Sequence, residues 1–198
     1  MFEHTLTEHT MKIVGISGSL RTGSVNTALL HNAADLLPEG VELEVIDMNV
    51  FPLFNQDIEK DGLPEELLAV QKTIAEADGV LIASPEYNYS YTGVLKNAID
   101  WLSRPPYRAL NEKPVAIVGA SPGQFGTARG QYQLRGLLHG INAHVLSKPE
   151  VLIGGSMSKF SEDGKLVDQK TRDFYASMLE TFVQYINRMT PEKTTVLA

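Results

Sequence analysis

Dense apolar runs alternate along this chain with stretches in which apolar residues recur every three or four positions. Met11–Ile16, Leu43–Met48, Val80–Ala83 and Val115–Gly119 have the short, apolar character of strands buried in a sheet. Between them, Asn26–Leu37, Pro64–Ala77, Thr92–Leu102 and Thr127–His139 carry helical spacing. Thr92–Leu102 is the clearest: Val94, Leu95, Ala98, Ile99 and Leu102 fall on one helical face. Pro64-Glu65-Glu66 suits a helix start, because proline lacks the amide hydrogen that a first turn leaves unpaired and the acids complement the helix dipole. A fifth extended segment, Val145–Ile153, is interrupted at Pro149. Asp168–Met189 reads as a long terminal helix, with Phe174, Met178, Phe182 and Tyr185 as a core-packing stripe. Five strands alternating with five helices predict an α/β fold with a parallel sheet covered on both faces.

Composition narrows the chemistry. The 198 residues fit one domain, expected over 11–190 with a polar extension at 1–10 and a tail at 191–198. The absence of cysteine excludes a disulfide scaffold, a thiol nucleophile and Cys-ligated metal or iron–sulfur sites. A net charge of −7 with scattered Lys and Arg argues against nucleic acid and anionic membranes as partners. No apolar run approaches the roughly 18 residues of a membrane span, and the polar opening is unlike a signal peptide. The expected location is cytoplasmic. His4 and His9 are read as incidental, and no metal site is expected.

In open parallel sheets, ligands bind beyond the carboxyl ends of the strands. The loop after the first strand reads Ser17-Gly18-Ser19-Leu20-Arg21-Thr22-Gly23-Ser24-Val25-Asn26-Thr27. Glycines permit tight turns, while hydroxyls, amide hydrogens and the following helix start favour an anion. Arg21 adds a full positive charge. Gly18 and Gly23 have the spacing of a triphosphate-binding loop, but Ser24 stands where that loop needs lysine. The dinucleotide fingerprint is absent too. A single terminal phosphate, as on FMN, fits best. Asp47 is read as a strand-end residue rather than a ribose contact.

The third strand runs into Ser84-Pro85-Glu86-Tyr87-Asn88-Tyr89-Ser90-Tyr91, which offers aromatic walls and polar partners for a flat ring. The fourth runs into Ala120-Ser121-Pro122-Gly123-Gln124-Phe125-Gly126-Thr127, whose small residues let backbone approach a ring edge. A tyrosine-rich turn packing on its own helix, and a plain helix-start loop, are the simpler readings of these two segments.

Together, GSLRTGSVN at 18–26, PEYNYSYTGVLKNAIDWLSR at 85–104 and SPGQFGTARGQYQLR at 121–135 resemble the NAD(P)H-dependent FMN reductase family, in its bacterial quinone and chromate reductase branch. The resemblance spans about Met11 to Asn187. It implies a flavodoxin-like three-layer sandwich with a five-stranded parallel sheet, strand order 2-1-3-4-5, and bound FMN. By resemblance Ser19, Arg21, Ser24 and Asn26 hold the phosphate, with Leu20, Thr22 and Gly23 completing the loop. Pro85, Glu86, Tyr87, Asn88 and Tyr89 line the flavin, and Ser121 and Gly123 approach its ring. The implied reaction passes hydride from NADPH or NADH through FMN to a small-molecule acceptor: a quinone, free flavin, azo compound or metal oxyanion such as chromate. No side chain is nominated as a catalyst, and Glu86 is read as structural. The resemblance also implies a homodimer or homotetramer with Tyr89, Arg129, Tyr132 and Glu150 at the interface. Phe125 lies where the third loop departs from close relatives, so substrate preference does not transfer. The competing reading is a flavodoxin-type electron carrier without steady-state turnover.

Overall fold

A computed structural model of the protein describes residues 10–190. The expected terminal extension and tail, and His4 and His9 within the extension, lie outside the described residues, except for position 10.

The strands are β1 (Met11–Ser17), β2 (Val41–Val45), β3 (Gly79–Ala83), β4 (Pro114–Ala120), β5 (His144–Val145) and β6 (Val151–Ile153). The α-helices are α1 (Val25–Ala34), α2 (Gln56–Asp61), α3 (Glu65–Glu76), α4 (Gly93–Leu102), α5 (Ala128–Gly140) and α6 (Gln169–Met189). All strand pairs are parallel, in the order β2-β1-β3-β4-β5, and β6 also pairs with β4. This is the flavodoxin-like order with one addition. The fifth extended segment becomes two short strands on the same edge of β4. Pro114 and Val115 face His144 and Val145, whereas Val118–Ala120 face Val151–Ile153. Pro149 lies between them and has no N–H to give a ladder, so the interruption falls where the sequence placed it.

Strand periodicity of two divides the core into two layers. Val14, Ile16, Val80, Ile82, Val115 and Ile117 pack toward α3, α4 and α5. Ile13, Leu81, Ala83, Ala116, Val118 and Ala120 pack toward α1 and α6. Both faces of the central strands are therefore buried, which explains their unbroken apolar runs.

Three expectations are corrected. The second strand ends at Val45, because Asp47 turns the chain by accepting the Asn49 N–H and caps a short 3₁₀ turn at Met48–Val50. Helix α2 went unread, since none of its residues is buried and it carries no apolar stripe. On α6, Met178 and Phe182 are buried as expected, but Phe174 is 46% exposed. Tyr175 takes its place in the stripe Tyr175, Met178, Leu179, Phe182 and Ile186. A shift of one residue turns a side chain by about 100° around a helix, enough to carry Phe174 off the buried face.

Candidate functional site

The three loops expected to carry the site lie together at the carboxyl ends of β1, β3 and β4. Strand pairing brings Ser17 beside Ala83, and the Ser84 N–H donates to the Val118 carbonyl. The Gly18 N–H donates to the Ala83 carbonyl at 2.8 Å, and the Thr92 hydroxyl donates to the Gly18 carbonyl at 2.7 Å. A Cβ on Gly18 would stand 3.1 Å from the Pro85 ring and 3.2 Å from the Ser84 backbone, so the glycine permits close packing of the first two loops.

Within the first loop, hydroxyl oxygens satisfy the backbone and leave their hydrogens for something else. Ser24 caps α1 by accepting the Asn26 N–H, and Ser19 accepts the Arg21 N–H. Both serines are buried, while Leu20, Arg21, Thr22 and Gly23 are exposed. Gly23 turns with φ +67°, a conformation suited to glycine. Among the described residues, the N–H groups of Leu20, Thr22, Gly23 and Val25 have no acceptor. No acidic side chain occupies the first turn of α1. Serine O–H groups, unpaired amides, a helix start and the Arg21 charge fit a phosphate monoester, which carries about −1.5 to −2 near neutrality.

Asn26, expected at the phosphate, also reaches across to β4. Its side-chain amide is buried and bonded to β4, donating one hydrogen to the Ala120 carbonyl at 3.0 Å and accepting the Ala120 N–H at 2.9 Å. It therefore ties the start of α1 to the strand through its carbonyl oxygen and one of its two amide hydrogens, leaving the second hydrogen for an anion.

The second loop closes as a two-residue turn. Tyr87 and Ser90 exchange both backbone hydrogen bonds at 3.0 Å, and the residues between them, Asn88 and Tyr89, sit at φ +51° and +67°. Asparagine tolerates the left-handed region, whereas a tyrosine there is uncommon and marks local strain. Pro85 is buried, and Tyr87, Asn88 and Tyr89 project into solvent. Glu86 is tied to the next helix: its Oε2 accepts the N–H groups of Arg129 and Gly130, each at 2.9 Å, and caps α5. Its Oε1 lies 3.5 Å from the Arg129 guanidinium.

In the third loop, the Ser121 hydroxyl donates to the Gly126 carbonyl at 2.7 Å, and Gly123 is exposed. Gly123 also accepts the Gly155 N–H, and Ser121 accepts the Ser156 N–H. The loop after β6 thus packs against the third loop, a neighbour that the sequence motifs did not single out. Its signal was the Gly154-Gly155 pair at a strand end.

Of the four residues expected at an interface, the structure brings three together. Arg129 lies 4.4 Å from the Tyr89 ring centroid, and both line a hollow of about 400 Å³ with Tyr132, Ala128 and Gln133. Tyr132 is 81% exposed. Glu150 lies apart from them, paired with Lys148 at 2.6 Å and Arg135 at 3.7 Å. Burial lowers the pKa of Arg135, and the Glu150 charge partly restores it.

The sheet order and the loop cluster at its carboxyl edge define a flavodoxin-like α/β protein. Residues 11–158 match the family model for NADPH-dependent FMN reductase. The chain is 46% identical over 179 residues to the NAD(P)H-dependent FMN reductase of Pseudomonas aeruginosa, covering 90% of this chain and 97% of that one. It is 39% identical over 182 residues to the quinone reductase of Escherichia coli K12, with 90% and 97% covered. The solved structure of FerB, a flavoenzyme NAD(P)H:(acceptor) oxidoreductase from Paracoccus denitrificans, superposes with TM-score 0.83 at 33% identity, over 90% of this chain and 98% of that one. The chain belongs to the NADPH-dependent FMN reductase family and is an FMN-dependent NAD(P)H oxidoreductase.

Proposed function

We propose that this chain reduces quinones to hydroquinones with electrons from NADH or NADPH. One quinone, one NAD(P)H and one proton give one hydroquinone and one NAD(P)⁺. The first loop carries the reading: buried Ser19 and Ser24, exposed Arg21 and unpaired amides form a cradle for one phosphate. The quinone reductase name of a 39% identical relative supports the acceptor class.

Bound FMN would supply the chemistry of hydride and electron transfer between NAD(P)H and the acceptor. The chain's residues bind and orient it. Ser19, Leu20, Arg21, Thr22, Gly23 and Ser24 grip the phosphate, and Asn26 fixes that grip to β4. Pro85, Glu86, Tyr87, Asn88 and Tyr89 form one wall for the ring, while Ser121 and Gly123 bring backbone to its edge. No side chain acts as a covalent catalyst, and water delivers protons.

The working unit is a homodimer or homotetramer in which Tyr89, Arg129 and Tyr132 meet a second copy, with Glu150 at its margin. The exposed aromatic hollow around Arg129 supports this arrangement. One catalytic domain spans 11–190. A reaction that consumes NAD(P)H belongs with that pool in the cytoplasm.

The test is a visible spectrum of the purified protein followed by steady-state oxidation of NADH and NADPH against a quinone panel. A flavin spectrum and quinone-dependent turnover are expected. Bound FMN without turnover would instead make the chain an electron carrier.

A further inference from the structure

Phe125 is the one large apolar residue in a loop otherwise built of small and polar ones, and 65% of it is exposed. Exposure alone is ordinary for a surface phenylalanine. This ring, however, is held in place from both sides. The next residue, Gly126, turns at φ +61° and packs so closely that a Cβ would stand 2.8 Å from the Leu152 backbone. The Gly126 N–H donates to the Gly123 carbonyl, the Gly126 carbonyl accepts the Ser121 hydroxyl, and the Phe125 carbonyl accepts the Ala128 N–H. The loop's backbone is therefore anchored where its side chain is open.

The Phe125 ring also has a fixed neighbour. The Arg129 guanidinium lies 4.9 Å from its centroid and 4.4 Å from that of Tyr89, and it is steadied by Glu86 at 3.5 Å. One cation thus joins rings from the second and third loops. Such contacts favour a defined ring orientation. The result is an aromatic surface with a cation against it, in the loop that borders the proposed ring site.

We infer that Phe125 is a specificity-determining residue: its open surface stacks the acceptor, and it selects planar fused-ring quinones over single-ring ones. The inference rests on the quinone reductase reading above and deepens it. Ring stacking rewards flat, extended partners, because offset overlap grows with ring area. A guanidinium beside the ring favours ligands with carbonyl oxygens at their rim. A fused-ring quinone offers a second ring for Phe125 to stack beyond the one that is reduced, whereas a single-ring quinone offers none.

The test uses the FMN-loaded protein and the variants Phe125→Leu and Phe125→Trp. Leucine keeps an apolar side chain and removes the ring; tryptophan enlarges the ring. Calorimetric titration of the oxidised holoprotein without NAD(P)H measures binding of 1,4-naphthoquinone and of tetramethylbenzoquinone. Phe125→Leu is expected to weaken naphthoquinone binding by about five- to tenfold, leave the single-ring quinone within about twofold, and be rescued by Phe125→Trp. KM for naphthoquinone should rise in parallel, with FMN content and the rate of flavin bleaching by NAD(P)H unchanged. Equal losses for both quinones, unchanged naphthoquinone binding, slowed bleaching by NAD(P)H or an altered sedimentation coefficient each overturn the inference. Unmodified protein that binds no FMN or is not bleached by NAD(P)H overturns the underlying functional reading instead.

Discussion

At the residue scale, neighbouring side chains in one motif divide the work between ligand and scaffold. Arg21 is exposed and its guanidinium makes a weak local contact with the Thr22 carbonyl at 3.4 Å, so its charge is available to an anion. Arg21→Ala should weaken FMN binding by about ten- to a hundredfold, read by fluorescence titration of the apoprotein. Unchanged affinity would remove Arg21 from the cradle. Asn26, five residues on, gives its carbonyl oxygen and one amide hydrogen to Ala120 and so serves the scaffold as well. The family resemblance named both as phosphate ligands; the tie to β4 was not legible in it. Tyr175 supplies a pH test. Burial raises its phenol pKa well above the ordinary value, while its hydroxyl donates to the Leu29 carbonyl. A raised phenol pKa contributes stability that is complete below the unfolded value of about 10 and is lost as pH rises beyond it. Tyr175→Phe should therefore be less stable by about 1 kcal/mol at neutral pH, with the gap to the parent narrowing above about pH 10. Urea midpoints across that range check the sign.

At the element scale, the site depends on how tightly strand ends converge. A Cβ on Gly119 would stand 2.5 Å from the Ser84 carbonyl oxygen and also collide with Thr127. Gly119→Ala should destabilise the fold by about 2–3 kcal/mol, seen as a lower urea midpoint with the slope unchanged. Central strands were legible in the sequence because both of their faces are buried, giving runs such as Val80–Ala83 without polar interruption. The edge was harder to read. Strand β2 alternates Val41, Leu43 and Val45 with exposed Glu42 and Glu44, and its end was set by the Asp47 turn rather than by hydrophobicity. Residues 160–166 close a bridge between Phe160 and Leu166 and dock on α1 through Asn32, contacts 132 and 134 positions apart that no local pattern announces.

At the scale of the whole molecule, sheet order and cofactor class were legible because three loop motifs fall at the ends of three adjacent strands. What the sequence concealed was the wiring between them: Thr92 to Gly18, Glu86 to the start of α5, and Asn26 to Ala120. Each is a hydrogen bond across loops, and partner choice depends on the folded arrangement. The exposed aromatic hollow calls for a test by assembly. Sedimentation should show a dimer or tetramer, and Tyr132→Asp should shift it toward monomer by placing an uncompensated charge against the partner surface. Unaltered assembly would exclude Tyr132 from the contact. The Asn26 link has a consequence of another kind. Because the Ala120 amide hydrogen is held by a side chain 94 positions away, its exchange with deuterated solvent reports the opening of a remote bend. A single peptide from the middle of the sheet can thus serve as a gauge of whether the entrance to the protein is intact, with no coloured ligand or turnover required.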